Sequence, residues 1–368
     1  RLNSLNHKNE TLRNISVPVL SVLLGLILGA IIMLIFGYDP ILGYKSLIEG
    51  SVGSSFYIGE TLRQATPLIL TALGFAVANT AGFFNIGVAG QALFGWLGSV
   101  TLAIMFPDLP RMLLIPLCLI GGAVAGAIWA GIAGYLRAYF GTSEVIVTIM
   151  LNYTALYISN HMVRNVLTNA DDATPRISDN ATLRSGFLAN ITDNSTLHYG
   201  LFIAIIMCIV MWIFMNKTTA GYELRAVGLN SFAAEYAGMS AKKNIVMAMV
   251  ISGALAGLGG SMEGIGNFQN IFVMSSMPSI GFDGMAVSLL GAGNPFGILV
   301  SALLFGALKI GGISMPMGSD VPTEVVDIVI AAIIFFVGAN YLIRYFMNKF
   351  NQPKIIITPA LTAKKELN

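Results

Sequence analysis

Neutral amide side chains interrupt the apolar segments of this sequence, and they suit the binding of an uncharged polar solute. An amide both donates and accepts hydrogen bonds, and its burial avoids the desolvation cost of a charge. Together with nearby phenylalanines, which offer flat apolar faces, these amides favour a site for a sugar, a nucleoside or another neutral solute. The same amides also suit contacts between membrane helices, so both roles stay open. The residues concerned are Asn85, Gln91, Asn152, Asn267 and Gln269, with Phe83, Phe84, Phe268 and Phe272.

Two carboxylates, Glu263 and Asp283, are further candidates for the same solute pathway. Both lie near the predicted outer end of an apolar segment, where solvation of a helix end or a structural hydrogen bond is the alternative role. Other charges near the apolar segments have simpler explanations. Glu144 follows Thr142 and Ser143 at a predicted helix start, where acidic residues are favoured, and Lys309 can extend its amine to the membrane surface.

The residue types that catalysis needs are scarce. The three histidines are His7, His161 and His198, at the N-terminus or at predicted outer membrane edges. The sequence contains no His-Glu-x-x-His motif, no Gly-x-Ser-x-Gly motif and no phosphate-binding loop with its Lys-Ser/Thr pair. Cys118 and Cys208 each lie in an apolar segment and are read as small buried hydrophobes. We therefore predict no catalytic residue, no metal site and no cofactor bound by this chain.

Composition predicts an all-α polytopic membrane protein. Of the 368 residues, 55% are hydrophobic and only 10% are charged, whereas a soluble domain has about 25% charged residues. Several apolar segments approach the roughly 20 residues that cross a bilayer. A weak similarity between the segments that begin at Gly82 and at Gly281 indicates two pseudo-symmetric halves with short or broken helices. The ten predicted spans are 17–37, 62–80, 84–105, 112–135, 145–163, 199–216, 244–262, 280–293, 297–313 and 325–343.

The distribution of Lys and Arg predicts that both termini lie in the cytoplasm, because positive residues concentrate in cytoplasmic segments. The net charge of +2 is too small to suggest a nucleic-acid partner. This orientation makes 1–16 a cytoplasmic segment, 17–345 the transmembrane domain and 346–368 a cytoplasmic tail. Within the transmembrane domain it places the polar loop 164–198 outside and the loop 217–243 inside.

The inner loop carries a short amphipathic stretch, residues 221–238, that suits contact with a soluble partner. Glu223, Arg225 and Glu235 lie close together there, and each would cost about 2.5–3.5 kcal/mol in hydrocarbon. The stretch 233–236 favours a helix between Gly228 and Gly238. A helix on the cytoplasmic surface of a membrane protein is available to another protein.

Four motifs resemble those of bacterial ABC importer permeases of the nucleoside and simple-sugar branch, most of all the nucleoside (guanosine/uridine-type) permeases. They are TAGFFNIGVAGQ at 80–91, SEVIVTIMLNY at 143–153, ELRAVGLN at 223–230 and GFDGMAVSLLG at 281–291. The resemblance covers about residues 17–345 and implies a ten-helix fold with two pseudo-symmetric halves. It also implies a second permease subunit, a cytoplasmic ATPase that binds ATP and Mg²⁺, and an extracellular or lipid-anchored substrate-binding protein. The residues that it assigns to coupling with the ATPase are Glu223, Leu224, Arg225, Asn230, Ala234, Glu235 and Tyr236.

The resemblance has one notable departure, at Ala89, where the family often carries an acidic residue. A role for that carboxylate cannot be transferred to this chain. We predict a nucleoside permease subunit in a bacterial cell membrane, with a simple-sugar permease as the alternative. An ion-coupled secondary transporter is less consistent with the sequence, because its carboxylates would lie in mid-membrane and here they cluster near helix ends. The predicted pathway residues are Phe83, Asn85, Gln91, Asn152, Glu263, Asn267, Phe268 and Asp283.

Overall fold

The computed structural model describes residues 2–339, and its regular structure over this range is helical. α6 and α11 each continue into a π-helical turn, Val163–Leu167 and Met262–Asn267. The helices are α1 (Leu2–Ile35), α2 (Pro40–Val52), α3 (Ser55–Thr80), α4 (Val88–Met105), α5 (Arg111–Phe140), α6 (Glu144–Met162), α7 (Gly186–Ile191), α8 (Gly200–Lys217), α9 (Thr219–Leu229), α10 (Ser231–Tyr236), α11 (Ala241–Ser261), α12 (Ile280–Leu290), α13 (Pro295–Ser319) and α14 (Thr323–Gly338).

The prediction of an all-α polytopic membrane protein is confirmed. Within the described residues, seven helices are long and apolar enough to cross a membrane, and α12 is a shorter apolar helix of 11 residues. Each of the ten predicted spans coincides with a helix. The last one is described only to Gly338, and the predicted tail 346–368 lies outside the described residues. The domain boundaries and the orientation in the membrane stay predictions.

Four helices of the described residues, α2, α7, α9 and α10, lie outside the predicted spans, and α2 is the longest of them. Its start has a clear local cause, because the Asp39 side chain accepts a hydrogen bond from the Ile41 backbone N–H at 2.9 Å and Pro40 occupies the first turn. α2 packs against α13, where Gly50 faces Ser314 and Gly311 faces Leu47. At 13 residues, it is too short to be recognised as a span from hydropathy alone.

Small residues let the central helices approach each other closely. α11 lies against α3, α4 and α5. A Cβ added to Gly95 of α4 would collide with the Gly257 backbone of α11, and one added to Gly126 of α5 would meet Gly253 and Gly257. Such contacts between backbones are a main source of packing energy between membrane helices. They explain why glycine is frequent within these apolar segments.

Helices from each half of the transmembrane domain pack against helices from the other half. α3 packs on α12 while α11 packs on α4, and each pair joins helices from different halves. α3 and α11 run antiparallel, since Ser252 of α11 faces Gly74, whereas Gly259 faces Pro67 and Thr71 earlier in α3. α3 and α11 are the equivalent helices of the two halves, and α4 and α12 are the next equivalent pair. A pseudo-twofold axis in the membrane plane relates halves whose equivalent helices run antiparallel in this way.

The polar loop 164–198 is folded over the end of α11. Backbone N–H groups of Thr174, Ile177 and Leu183 donate to carbonyls of the chain at 265–271, over 2.9–3.0 Å. The short helix α7 lies within this loop. The loop therefore positions the connection 268–279 between α11 and α12, which lines a cavity of about 640 Å³.

Candidate functional site

A cavity of about 640 Å³ lies where α3, α4 and the end of α11 meet the connection 268–279. This volume lies within the range that small-molecule sites occupy. Its lining combines aromatic, charged and hydroxyl side chains from four segments of the chain. They include Arg63, Gln64, Trp96, Glu263, Phe268, Phe272, Ser275, Ser276 and Ser279.

Three aromatic rings form one wall of this cavity. Trp96 stacks on Phe268 with ring centroids 5.1 Å apart, and Phe272 meets both rings edge-on. The Trp96 indole N–H donates to the Asn270 carbonyl at 2.8 Å, which fixes its ring plane. Gly264 makes this position possible, because a Cβ there would lie 2.8 Å from the Trp96 ring. Phe268 is 51% exposed and offers a flat face for stacking.

A line of hydrogen bonds leads from the loop 164–198 to the cavity carboxylate. The Gly200 N–H donates to His198 Nδ1 at 3.1 Å, so the ring proton belongs on Nε2, which lies 3.0 Å from Asn267 Oδ1. Asn267 Nδ2 in turn donates to Glu263 Oε2 at 3.1 Å. Burial lowers the pKa of His198 to about 4, so the ring is neutral at pH 7. His198 was not among the predicted site residues, because its partners lie far away in the sequence.

The cavity cation, Arg63, is already neutralised. Its Nε lies 2.8 Å from Glu60 Oε2, and Glu60 Oε1 accepts from the backbone N–H and hydroxyl of Thr196 at 2.6 and 2.7 Å. Arg63 and Gln64 were not among the predicted site residues, although both lie within the predicted span 62–80. Because Arg63 is paired with Glu60, it does not present an unpaired positive charge to an anionic ligand in the cavity.

Asp283 lies next to the cavity rim and is paired with a cation. Lys309 Nζ of α13 lies 2.5 Å from Asp283 Oδ2 of α12 and also donates to Ser279 Oγ at 3.1 Å. Ser279 lines the cavity, so this ion pair holds α12 and α13 together at its edge. The side chains are 11% and 20% exposed, which makes the pair stronger than one on an open surface.

Three other predicted pathway residues lie apart from this cavity, in a closed hydrogen-bonded cluster. Asn85 donates to Gln91 Oε1 and Ser252 Oγ, each at 2.9 Å, and accepts from the Gly87 N–H at 3.0 Å. Asn152 accepts from the Gly90 N–H at 2.8 Å and donates to the Ile86 carbonyl at 2.9 Å. These bonds hold the non-helical turn between α3 and α4. A direct role of these amides in the pathway stays a prediction.

Phe83 and Ala89 belong to the same turn. Phe83 is 2% exposed and packs against Ala78 and Ala130, away from the cavity. Ala89 meets Gly281 so closely that a Cβ at Gly281 would collide with the Ala89 backbone. The starts of α4 and α12, the two broken helices that the sequence indicated, therefore abut at this point. The pathway role of Phe83 also stays a prediction.

The predicted coupling segment forms two helices, α9 and α10, whose inner faces are anchored. Leu224 is fully buried and Ala234 is 4% exposed. Asn230 caps α10 by accepting a hydrogen bond from the Ala233 N–H at 3.1 Å. Glu223 accepts from Asn244 Nδ2 at 3.0 Å, which ties α9 to α11. The Glu223–Asn244 bond therefore joins α9 to the central helix α11.

An exposed apolar patch covers the side of α9 and α10 that faces away from the rest of the protein. Leu229, Phe232 and Tyr236 are 88%, 77% and 96% exposed, and Glu235 is also exposed. Sequence analysis named Tyr236 and Glu235 but missed Leu229 and Phe232. Arg225 lines a different pocket and does not belong to this patch. Coupling by the predicted residues stays a prediction, to which the patch adds two positions.

Comparison with known proteins places the chain among transport permeases. Residues 57–338 match the family described as branched-chain amino acid transport system, permease component. The guanosine ABC transporter permease protein NupP of Bacillus subtilis is 49% identical over 343 residues, 93% of this chain and 98% of NupP. The nucleoside ABC transporter permease protein NupB of Lactococcus lactis is 50% identical over 363 residues, 97% of this chain and 99% of NupB.

A more distant relative is named for a different solute. The glucose ABC transporter permease protein TsgB13 of Haloferax volcanii is 33% identical over 339 residues, 89% of this chain and 88% of TsgB13. All three relatives are named as permease proteins, which are transport components rather than enzymes. The match over residues 57–338 and the identities along nearly the whole chain agree with the helical architecture. The chain therefore belongs to the ABC transport-system permease family.

Proposed function

We propose that this chain is the permease subunit of an ATP-driven nucleoside importer of a bacterial cell membrane, and that the 640 Å³ cavity receives the nucleoside. The observation that carries this proposal is the aromatic wall of Trp96, Phe268 and Phe272 beside the Glu263 carboxylate. The names of the two relatives at about 50% identity support the choice of solute.

The chemistry of the lining suits the two parts of a nucleoside. Stacking of a base on an aromatic side chain contributes about 1–3 kcal/mol. Glu263 and Gln64, with the hydroxyls of Ser275 and Ser276, supply acceptors and donors for the ribose hydroxyls. Since Arg63 is neutralised by Glu60, the cavity has little attraction for a phosphate group. The cavity therefore favours nucleosides over nucleotides.

Transport requires partners that supply energy and substrate. In this proposal a separate cytoplasmic ATPase binds ATP and Mg²⁺ and docks on the exposed patch of α9 and α10. A second permease subunit completes the path, and an extracellular substrate-binding protein delivers the nucleoside to the cavity. Closure of the ATPase displaces α9, and the Glu223–Asn244 bond carries the movement to α11.

A simple sugar is the second candidate solute, because the glucose permease relative is 33% identical and a pyranose ring also stacks on aromatic faces. The two solutes make different demands on the exposed ring of Phe268. A planar base needs the extended face of an aromatic ring, whereas a sugar depends more on the polar groups around it. Competition experiments separate the two candidates directly.

The decisive experiment measures uptake of radiolabelled guanosine and uridine by cells or proteoliposomes that contain the assembled transporter. We expect unlabelled nucleosides to compete and glucose not to compete. Phe268→Ala should raise the half-saturating nucleoside concentration by about 10–100-fold, from the stacking energy, while Phe268→Tyr should retain most of the uptake.

A matched control is Phe94→Ala, since Phe94 also stacks on a tryptophan, Trp129, but lies outside the cavity. It should change the amount of assembled protein without changing the half-saturating concentration. Uptake of radiolabelled glucose, with no uptake of labelled nucleosides, would establish the sugar candidate instead. Unchanged nucleoside affinity in Phe268→Ala would remove this cavity as the nucleoside site.

A further inference from the structure

A second pocket, of about 210 Å³, lies at the other end of α3 and contains Arg225. It is formed between α3, α8, α9 and the turn that joins α12 to α13. The α3 side chains that line it, such as Leu73 and Val77, lie about 15–20 Å along the helix axis from Arg63 of the large cavity, at a rise of about 1.5 Å per residue. The pocket is therefore separate from the cavity proposed to receive the solute.

The Arg225 guanidinium lacks an acceptor among the described residues. Its Nε is buried without a hydrogen-bond partner, and none of the ion pairs in this part of the chain includes Arg225. The neighbouring carboxylate on α9, Glu223, bonds to Asn244 instead. A buried donor without a partner costs about 1–3 kcal/mol, and more when it is charged. A ligand that brings an anionic oxygen to Arg225 would remove this cost.

The lining around Arg225 suits such a ligand. It contains no acidic residue, and the amide groups of Asn216 and Asn294 lie on the same polar side. The opposite side is apolar, with Leu73 and Met211 further into the membrane domain. One compartment thus combines a cation and amides at its mouth with an apolar floor. An amphiphile with an anionic head and a hydrocarbon chain has the matching distribution.

The pocket also lies at the level where lipid headgroups are found. Trp212 is one turn before Asn216 on α8, Lys217 Nζ lies 5.9 Å from the Trp212 ring, and Phe296 packs 6.2 Å from it. Tryptophan and lysine at the end of an apolar helix are typical of the membrane–water interface. Basic pockets between membrane helices bind the headgroups of anionic lipids.

We propose that this pocket binds an anionic phospholipid, with the phosphate at Arg225 and part of an acyl chain on the apolar floor. The bound lipid fills the space between α9 and the ends of α3 and α8. It stabilises the position of α9 relative to the membrane domain, and it supplies the acceptor that Arg225 lacks within the described residues.

The test uses the purified full-length chain in detergent and measures lipid binding by native mass spectrometry. The probes are phosphatidylglycerol, phosphatidylcholine with the same acyl chains, and inorganic phosphate. We expect the wild type to prefer phosphatidylglycerol over phosphatidylcholine by about tenfold or more, because both lipids carry a phosphate but the choline cation of phosphatidylcholine offsets the attraction of that phosphate to Arg225. Arg225→Gln should abolish this preference, and Arg225→Lys should retain part of it.

The matched control is Lys243→Gln, which removes an exposed cation near the start of α11, outside the pocket, and should leave the preference unchanged. An unchanged preference in Arg225→Gln would overturn the proposal. Inorganic phosphate that competes with phosphatidylglycerol at equal concentration would instead identify a site for soluble anions. Intact lipid preference with lost ATPase co-purification in Arg225→Gln would assign Arg225 to docking, which also overturns the proposal.

Discussion

At the residue scale, the position of the proton on the His198 ring determines how Asn267 and Glu263 are oriented beside the cavity. His198 is fully buried and accepts the Gly200 N–H, so only its Nε2–H is available to Asn267. Asn267 must then direct its amide nitrogen at Glu263, and this leaves Glu263 Oε1 free for a ligand donor. In the proposed site, His198 thus sets which oxygen of Glu263 is open to a ligand, although His198 itself does not line the cavity.

Substitution of Asn85 tests the role of the closed amide cluster. Asn85→Leu removes both bonds that it donates and the two that it accepts from Gly87 and Gln91. The buried partners left unsatisfied cost about 1–3 kcal/mol each, so we expect clearly less folded protein. Uptake per assembled molecule should stay near the wild-type rate. Both quantities are measured together, by normalising uptake to purified complex.

Phe84→Leu is a suitable control, because Phe84 is 39% exposed in the same turn and makes a ring contact with Phe75 but no side-chain hydrogen bond. Phe84→Leu should change neither the amount of folded protein nor the uptake per assembled molecule greatly. A reduced rate in Asn85→Leu at normal abundance would show the opposite, that the amide acts in the pathway as the sequence pattern predicted.

The residue types of the site could be predicted from the sequence, but their grouping could not. Glu263 and Phe268 were candidates and line the cavity together. Asn85 looked equally suitable, yet its partner Ser252 comes from a helix 167 residues later. Whether a buried amide is free for a ligand depends on such distant partners, which leave no local pattern in the sequence.

At the element scale, the fold depends on glycines at helix crossings. A Cβ at Gly95 would overlap the Gly257 backbone, and backbone cannot move aside as a side chain does. We expect Gly95→Ala to reduce folded protein markedly, since overpacking costs about 1–3 kcal/mol. The amount of monodisperse protein in size-exclusion chromatography measures this effect.

The same change at Gly186 is the matched control, because a Cβ there has nothing within 4 Å. Gly186→Ala at the start of α7 should leave the yield unchanged. Equal yields from the two variants would contradict the close approach of α4 and α11.

Element positions were predictable where hydropathy is continuous, as for α8 and α13. Helix positions were less predictable where charged residues interrupt an apolar segment. α3 starts before its predicted span and carries Glu60 and Arg63 inside the protein as an ion pair. Each charge alone argues against a span, and only the fold shows that they neutralise each other.

At the scale of the whole molecule, the predicted orientation places the loop 164–198 outside and α10 inside. Cysteine substitutions at two exposed positions, Asn190 and Ala237, test this. An impermeant maleimide on intact cells should label Asn190→Cys, and Ala237→Cys should react only after permeabilisation. The native Cys118 and Cys208 are buried, so the parent chain serves as the unlabelled control. Labelling of Ala237→Cys on intact cells would invert the orientation.

The packing of helices between the two halves also constrains the order in which the protein can fold during its synthesis. α4 ends at Met105, but its packing partner α11 is complete only at Ser261. At roughly 5–20 residues per second, the ribosome needs on the order of 10 s to make the intervening chain. During that time the surface of α4 around Gly95 lacks α11, and α4 can pack only on helices of the first half, such as α5. The nascent first half must therefore wait in the insertion machinery, or beside it in lipid, until the second half arrives.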